Sequence, residues 1–225
     1  MKQKSVALKE RAVRVAPRAG NAAGRKELKK SAVTRQRILD AAAGIFARKG
    51  YGRTLMSEIA EDAGIHITAL YYHFNTKDDL AEGVINHVAR VNHDEMVERV
   101  QGMSPKTSFV EKLRAAIHAQ LEGILMRRDY ILAQSKVLSE LPEERQERHR
   151  TLLHESTAFW RQLFEEGRKD GTIRRDLDPS IARMALQGSI NWTIEWYRPG
   201  GRAVREIADQ IADTILNGMA VRQGS

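Results

Sequence analysis

At 225 residues, with 42% hydrophobic side chains and 29% charged ones, the chain can bury a core and hold one or two domains. It has no cysteine, which excludes a disulfide framework and a thiolate nucleophile, and no apolar run approaches the roughly 18 residues that span a bilayer, so a soluble, cytoplasmic protein is expected. The formal net charge of +8 belongs to the first thirty residues, where ten bases (Lys2, Lys4, Lys9, Arg11, Arg14, Arg18, Arg25, Lys26, Lys29 and Lys30) face only Glu10 and Glu27; the remainder balances.

That first stretch, residues 1–30, also holds Pro17, Gly20 and Gly24 and few large apolar residues, so it reads as a disordered basic arm able to track DNA phosphates. An Arg-rich, acid-poor targeting presequence is the competing reading, and a solvated tail the bland one. From Ser31 to Lys49 the apolar stripe Ile38, Ala41, Ala42, Ile45 and Phe46 predicts a helix ended by Gly50, with Arg35 and Arg37 near its start.

Met56, Ile59, Ala60 and Ala63 then repeat at helical spacing, Gly64 stops them, and a second short helix points Leu70 and Phe74 inward. Two short helices joined by a glycine-containing turn make a helix-turn-helix. The outward residues His66, Thr68, Ala69, Tyr71, Tyr72 and His73 suit DNA, because hydroxyls and imidazoles donate to phosphate oxygens while Thr and Ala admit base edges and thymine methyls. A small packing unit with no ligand is the alternative. Thr76 and Asp79 form a capping pattern for a helix from Lys77 to about Gln101; a cation in that first turn opposes the helix dipole, and facing phosphate would explain it.

Beyond it the pattern stays helical, and the whole chain reads as all-α. Ser104-Pro105 signals a start for the helix of Phe109, Leu113, Ile117 and Leu121, ending near Arg127; a short helix through Ile131 and Val137 stops at Leu141-Pro142; Glu143 to Asp170 is the longest. Asp178-Pro179 opens a helix to about Tyr197, and the last runs roughly from Val204 to Gly218. These two carboxy-terminal helices carry more apolar faces than one subunit needs, so they are expected to pair with a second copy. His118, Gln120 and Asn191 are polar residues in apolar helical stretches and are the candidates for fixing a small-molecule effector, although satisfied core residues are commoner; Trp160, Trp192 and Trp196 read as packing. His149 and His154, and His87 and His93, lack the four-residue spacing of a zinc pair, and no phosphate-cradling glycine loop is present, so neither metal, cofactor nor catalysis is expected.

Gly50, Tyr51, Thr54, Ile59, Ala60, Ala63, Gly64, Leu70, Tyr71, His73, Phe74, Lys77 and Leu80 fall at the spacing of the TetR family's amino-terminal domain, and over about residues 34–82 the chain resembles it. The resemblance implies a homodimeric transcription regulator, usually a repressor released from a palindromic double-stranded operator by a small molecule. Carried over, Tyr71, Tyr72, His73 and Lys77 would hold phosphates and Thr68 and Ala69 would face bases. Leu55 stands where the family usually has Ser or Thr, leaving Thr54 as the expected cap; His66 replaces a usual Ser, and Ser57 often corresponds to an Arg, so Thr54, Ser57 and His66 join the DNA-binding candidates while base preference does not carry over from relatives. The run Asn191 to Gly201 is similar to that of a TetR subgroup governing fatty-acid and steroid catabolism, which implies an acyl-CoA effector. The expected organisation is an arm (1–30), a three-helix helix-turn-helix DNA-binding domain (31–82) and a larger helical effector-binding and dimerisation domain (83–225), acting at the bacterial nucleoid. The rival is an architectural DNA-coating protein driven by the basic arm.

Overall fold

The computed structural model describes residues 22–219, which form nine α-helices: α1 (Ala22–Lys49), α2 (Met56–Asp62), α3 (Ile67–His73), α4 (Lys77–Gln101), α5 (Phe109–Met126), α6 (Arg128–Val137), α7 (Glu143–Lys169), α8 (Pro179–Trp196) and α9 (Val204–Met219). The sequence-level boundaries of α4, α7, α8 and α9 hold to within a residue or two. Two boundaries move. Residues 1–21 of the expected arm lie outside the described residues, but α1 already begins at Ala22, so residues 22–30 are helical rather than disordered. Arg25 to Lys30 are straight-chain helix formers with no breaker among them, and propensity outweighs the charge that suggested disorder. The body helix starts at Phe109 rather than at Ser104-Pro105, because Ser108 and Glu111 close a reciprocal cap: Ser108 N donates to Glu111 Oε2 at 3.0 Å and Glu111 N to Ser108 Oγ at 3.3 Å.

The described residues up to Arg35 belong to a unit of their own, in which Thr34 Oγ1 donates back to the Lys30 carbonyl at 3.0 Å and Leu28 and Val33 are exposed. From Gln36 onward the chain has two apolar cores. The first gathers Ile38, Leu39, Ala42 and Phe46 from α1, Ile59 and Ala60 from α2, Leu70 from α3, Leu80, Val84, Ile85 and Val88 from α4, and Tyr130, Ala133 and Val137 from α6. Assigning everything after residue 82 to the body therefore misplaces α6, whose apolar side completes the head. The second core joins Met96 and Val100 of α4 to Phe109, Leu113 and Ile117 of α5, Trp160 and Phe164 of α7, Leu186 and Ile190 of α8, and Ile207, Ala208 and Ala212 of α9. Full burial of each large aliphatic side chain contributes about 1.5–3 kcal/mol. Helix α4 thus belongs to both cores, head at its start and body at its end.

Candidate DNA-recognition surface and effector cavity

The recognition surface is built from short elements that need outside support, since seven-residue helices do not hold alone. Leu55 N donates to Glu58 Oε2 at 3.2 Å, and Lys49 Nζ pairs with Glu58 Oε1 at 2.5 Å, which fixes the start of α2. Thr54 is not the cap. Its hydroxyl donates to the Gly50 carbonyl at 2.7 Å and the residue is 1% exposed, so it closes the turn before α2 and presents nothing to DNA. Gly64 takes φ +63°, a left-handed turn that glycine permits, and Arg37 Nη2 donates to the Ala63 carbonyl beside it at 2.5 Å. Gly83 of α4 sits where a Cβ would lie 2.9 Å from the Phe74 ring, so α3 is seated directly against α4.

Ser57 on α2 and His66, Thr68, Tyr71 and Tyr72 at α3 are exposed, with Ala69 and His73 half-buried among them. Tyr72, 83% exposed, meets His73 edge-on at 5.4 Å between ring centres. An outward pair of tyrosines beside a hydroxyl and a methyl is a surface with donors at its rim and little bulk at its centre.

Lys77 has a different explanation from the one expected. Its ammonium donates to the Tyr51 carbonyl at 2.7 Å and the Thr54 carbonyl at 3.0 Å, and lies 4.2 Å from the centre of the Tyr51 ring. The Tyr51 hydroxyl in turn donates to Asp78. Burial, reinforced by the bond to that carboxylate, pushes the phenol up to about 12. The first turn of α4 is thereby tied to the turn that introduces α2, and the cation no longer requires phosphate to account for it.

Behind the head, a cavity of about 260 Å³ opens among α4, α5, α6, α7 and α8. Its apolar wall includes Val88, Met96, Ile124, Ile131, Leu153 and Trp160, and its polar groups are Asn92, His93, Gln120, Gln134, Ser156, Thr157, Arg183, Gln187 and Asn191. Gln120 and Gln187 exchange amide hydrogen bonds at 2.8 and 3.1 Å, and His93 Nδ1 lies 3.0 Å from Ser156 Oγ. Among the described residues no carboxylate lines the space, and Arg183 brings a formal positive charge. An apolar chamber with a few fixed polar groups is the form that small-molecule sites take.

Of the three effector candidates, Gln120 and Asn191 reach this cavity and His118 does not. His118 Nε2 lies 2.8 Å from Asp209 Oδ1 on α9, and the imidazole holds that carboxyl below its usual range. A polar residue on an apolar helix face had two uses open to it, and α9 supplies the second. Trp160 both packs in the body core and lines the cavity, while Trp192 and Trp196 are 66% and 47% exposed. His93, Ser156, Arg183 and Gln187 were missed. Gln187 carried the same signal as Gln120, a neutral amide in an apolar stretch; His93 and Ser156 had none, because α4 and α7 meet only in the fold.

Two family models match the chain, one described as bacterial regulatory proteins of the tetR family over residues 38–84 and the other as a tetracyclin repressor-like C-terminal domain over residues 106–219. The HTH-type transcriptional repressor KstR2 of Mycolicibacterium smegmatis is 30% identical over 195 residues, covering 84% of this chain and 92% of that one. The chain belongs to the TetR family. Among solved structures, the ketosteroid transcriptional regulator KstR2 of Mycobacterium tuberculosis superposes on this TetR-family chain with a TM-score of 0.72 at 22% identity, covering 84% and 95% of the two chains. AibR, solved in complex with isovaleryl coenzyme A and operator DNA, gives a TM-score of 0.68 at 24% identity over 83% and 98%. At those identities the likeness establishes the fold. TetR regulators bind operator DNA, and the helix-turn-helix of this chain lies within the matched amino-terminal model.

Proposed function

We propose that the protein is a homodimeric repressor that reads a palindromic operator with α3 and is released when a small molecule, of the acyl-CoA thioester class, occupies the cavity behind the head. Helix α4 carries this reading: Leu80 to Val88 lie in the head core, while Val88, Ala89, Asn92, His93 and Met96 form one wall of the cavity. A ligand that displaces the second half of α4 therefore acts on the helix that seats α3. In this reading Tyr71, Tyr72 and His73 hold phosphates, Thr68 and Ala69 face bases, and Ser57 and His66 flank them. Lys77 supports the contact from behind by fixing the Tyr51–Thr54 turn.

Dimerisation through α8 and α9 draws support from Ile181, Met184, Trp192 and Trp196, large apolar side chains left 47–66% exposed along α8. A two-fold pair of α3 helices then meets half-sites about one helical turn, or a multiple, apart. The cavity accommodates an acyl group rather than a whole coenzyme, with Arg183 available to an anionic part of the ligand. AibR's complex with an acyl-CoA is a precedent within the same fold. An effector that prefers the released state about 100-fold weakens operator binding by up to roughly 2.7 kcal/mol.

Selection from random DNA duplexes at near-physiological salt, followed by release with a series of acyl-CoA thioesters, tests this directly. Enrichment of a palindrome that one of the thioesters dissociates is the expected result. Tight but unselective binding that collapses with salt would replace it with the architectural reading.

A further inference from the structure

The side of α4 that faces α7 is joined to it by hydrogen bonds along most of its length. Asp79, Asn86 and His93 recur every seven residues on α4, and each meets a polar partner on α7. Arg145 Nη2 donates to Asp79 Oδ1 at 2.8 Å, His149 Nδ1 lies 2.9 Å from Asn86 Oδ1, and Ser156 Oγ lies 3.0 Å from His93 Nδ1. The last of these rungs is in the cavity wall, and the first is at the head.

Arg145 is placed to do more than add one ion pair. Its other terminal nitrogen, Nη1, donates to Glu82, so one planar guanidinium holds carboxylates from two successive turns of α4. Arg148 adds bonds to both Glu82 oxygens at 2.7 and 2.9 Å. Glu82 is 14% exposed and Arg145 21%, so the pairing is shielded from much of the solvent. These arginines hold the Glu82 carboxyl below its usual range. Asp79 is also the residue that closes the start of α4, accepting from Thr76 N at 3.1 Å through its other oxygen. Two residues earlier, Lys77 grips the carbonyls of Tyr51 and Thr54. The first turn of α4 is thus held by the head on one side and by α7 on the other.

We propose that Arg145 is a positioning residue for DNA recognition: by forking Asp79 and Glu82 it locks the first turn of α4, and with it the recognition head, to the helix that forms the cavity wall. The proposal rests on the reading that α3 is the DNA-contacting element. Its physical basis is that a seam of exchangeable hydrogen bonds has more than one arrangement available, whereas an interlocked apolar seam has one. The fork selects among those arrangements. Lysine, a single point charge, cannot span both carboxylates.

The absence of cysteine allows clean labelling. Spin labels are placed at E61C on α2 and K169C at the end of α7, both exposed positions, in full-length protein diluted with unlabelled chain so that each pair lies in one protomer. Pulsed dipolar spectroscopy then reads the head-to-body distance without DNA. In R145M the distance distribution should broaden about twofold or shift, and affinity for the selected operator should fall about tenfold while affinity for random duplex stays within about twofold, the pattern for loss of a charge-assisted fork that orients rather than contacts. R145K should recover part of both effects. E82Q, which leaves Arg145 in place and removes one arm, should move both readouts in the same direction, and decides the matter if R145M does not fold. An unchanged distribution and unchanged operator affinity in a folded variant would overturn the proposal. Failure of the parent protein to select any operator would instead count against the DNA reading, while the distance measurement would still decide whether Arg145 positions the head.

Discussion

The head and the body bury the same kinds of side chain, yet the polar groups of the head core and those around the body cavity are used in different ways. In the head, polar contacts fasten short elements: Thr54 to Gly50, Lys77 to Tyr51 and Thr54, and Tyr130, whose hydroxyl donates to Asp40 at 2.6 Å and pins α6 to α1. In the body, Gln120, Gln187, His93 and Ser156 pair with each other around open space. The first arrangement fixes one geometry. The second holds a volume open with groups whose partners a ligand can replace, at a cost in stability that a solid core would not carry.

The largest test of this contrast is in the head core. Leu70→Ala should destabilise the protein by about 2–5 kcal/mol, because a wholly buried side chain leaves a cavity in an interior that cannot collapse around it. Urea unfolding should record the loss, and a change below 1 kcal/mol would deny the head its rigidity. In the body, Gln120→Leu should cost about 1–3 kcal/mol by orphaning the Gln187 amide, whereas the double replacement of Gln120 and Gln187 by Leu should recover most of it. Thermal unfolding of the three variants closes that cycle, and the double variant should retain operator binding while losing its response to effector. On the recognition rim, Tyr71→Phe should weaken operator binding by about 1 kcal/mol across sequences with the dimer intact. A loss of dimer in sedimentation would instead place Tyr71 in the fold rather than on DNA.

The smallest effect concerns pH. His149 is wholly buried, and burial pushes its imidazole below the ordinary range, with Glu82 opposing only in part. The unfolded chain therefore binds the proton more readily than the folded one. Stability should be complete above the ordinary histidine value of about 6.5 and should decline as pH falls through it toward the folded value. His149→Gln should flatten that decline in melting temperature between pH 7 and 5, and an unchanged slope would assign it to other groups.

Much of this architecture was legible because its signals are local. Thr76 and Asp79 announce α4, Asp178-Pro179 announces α8, and Gly64 announces the turn between the motif helices, each within four residues of the feature it marks. What escaped depends on groups distant in sequence. Lys77 was expected to face phosphate because its carbonyl partners lie 26 and 23 residues earlier, and His118 was expected in the cavity because Asp209 lies 91 residues later. Thr54 was taken for the cap because Leu55 stands where the family usually has Ser or Thr, and α6 was assigned to the body because periodicity gives a helix its apolar face without saying which core receives it. The helical start of α1 was hidden by a charge argument that fails for residues 22–30, where the run Arg25 to Lys30 is made of good helix formers.

The three tryptophans divide the molecule in a way that light can read. Trp160 is 2% exposed in the cavity wall, whereas Trp192 and Trp196 on α8 are 66% and 47% exposed in the single chain. In the unpaired chain the emission of Trp160 should lie to the blue and that of the other two to the red, with collisional quenchers reaching mainly the latter two, and pairing through α8 should shield them. Occupation of the chamber and pairing of two chains are then separate optical events, reported by different indoles of the unmodified protein.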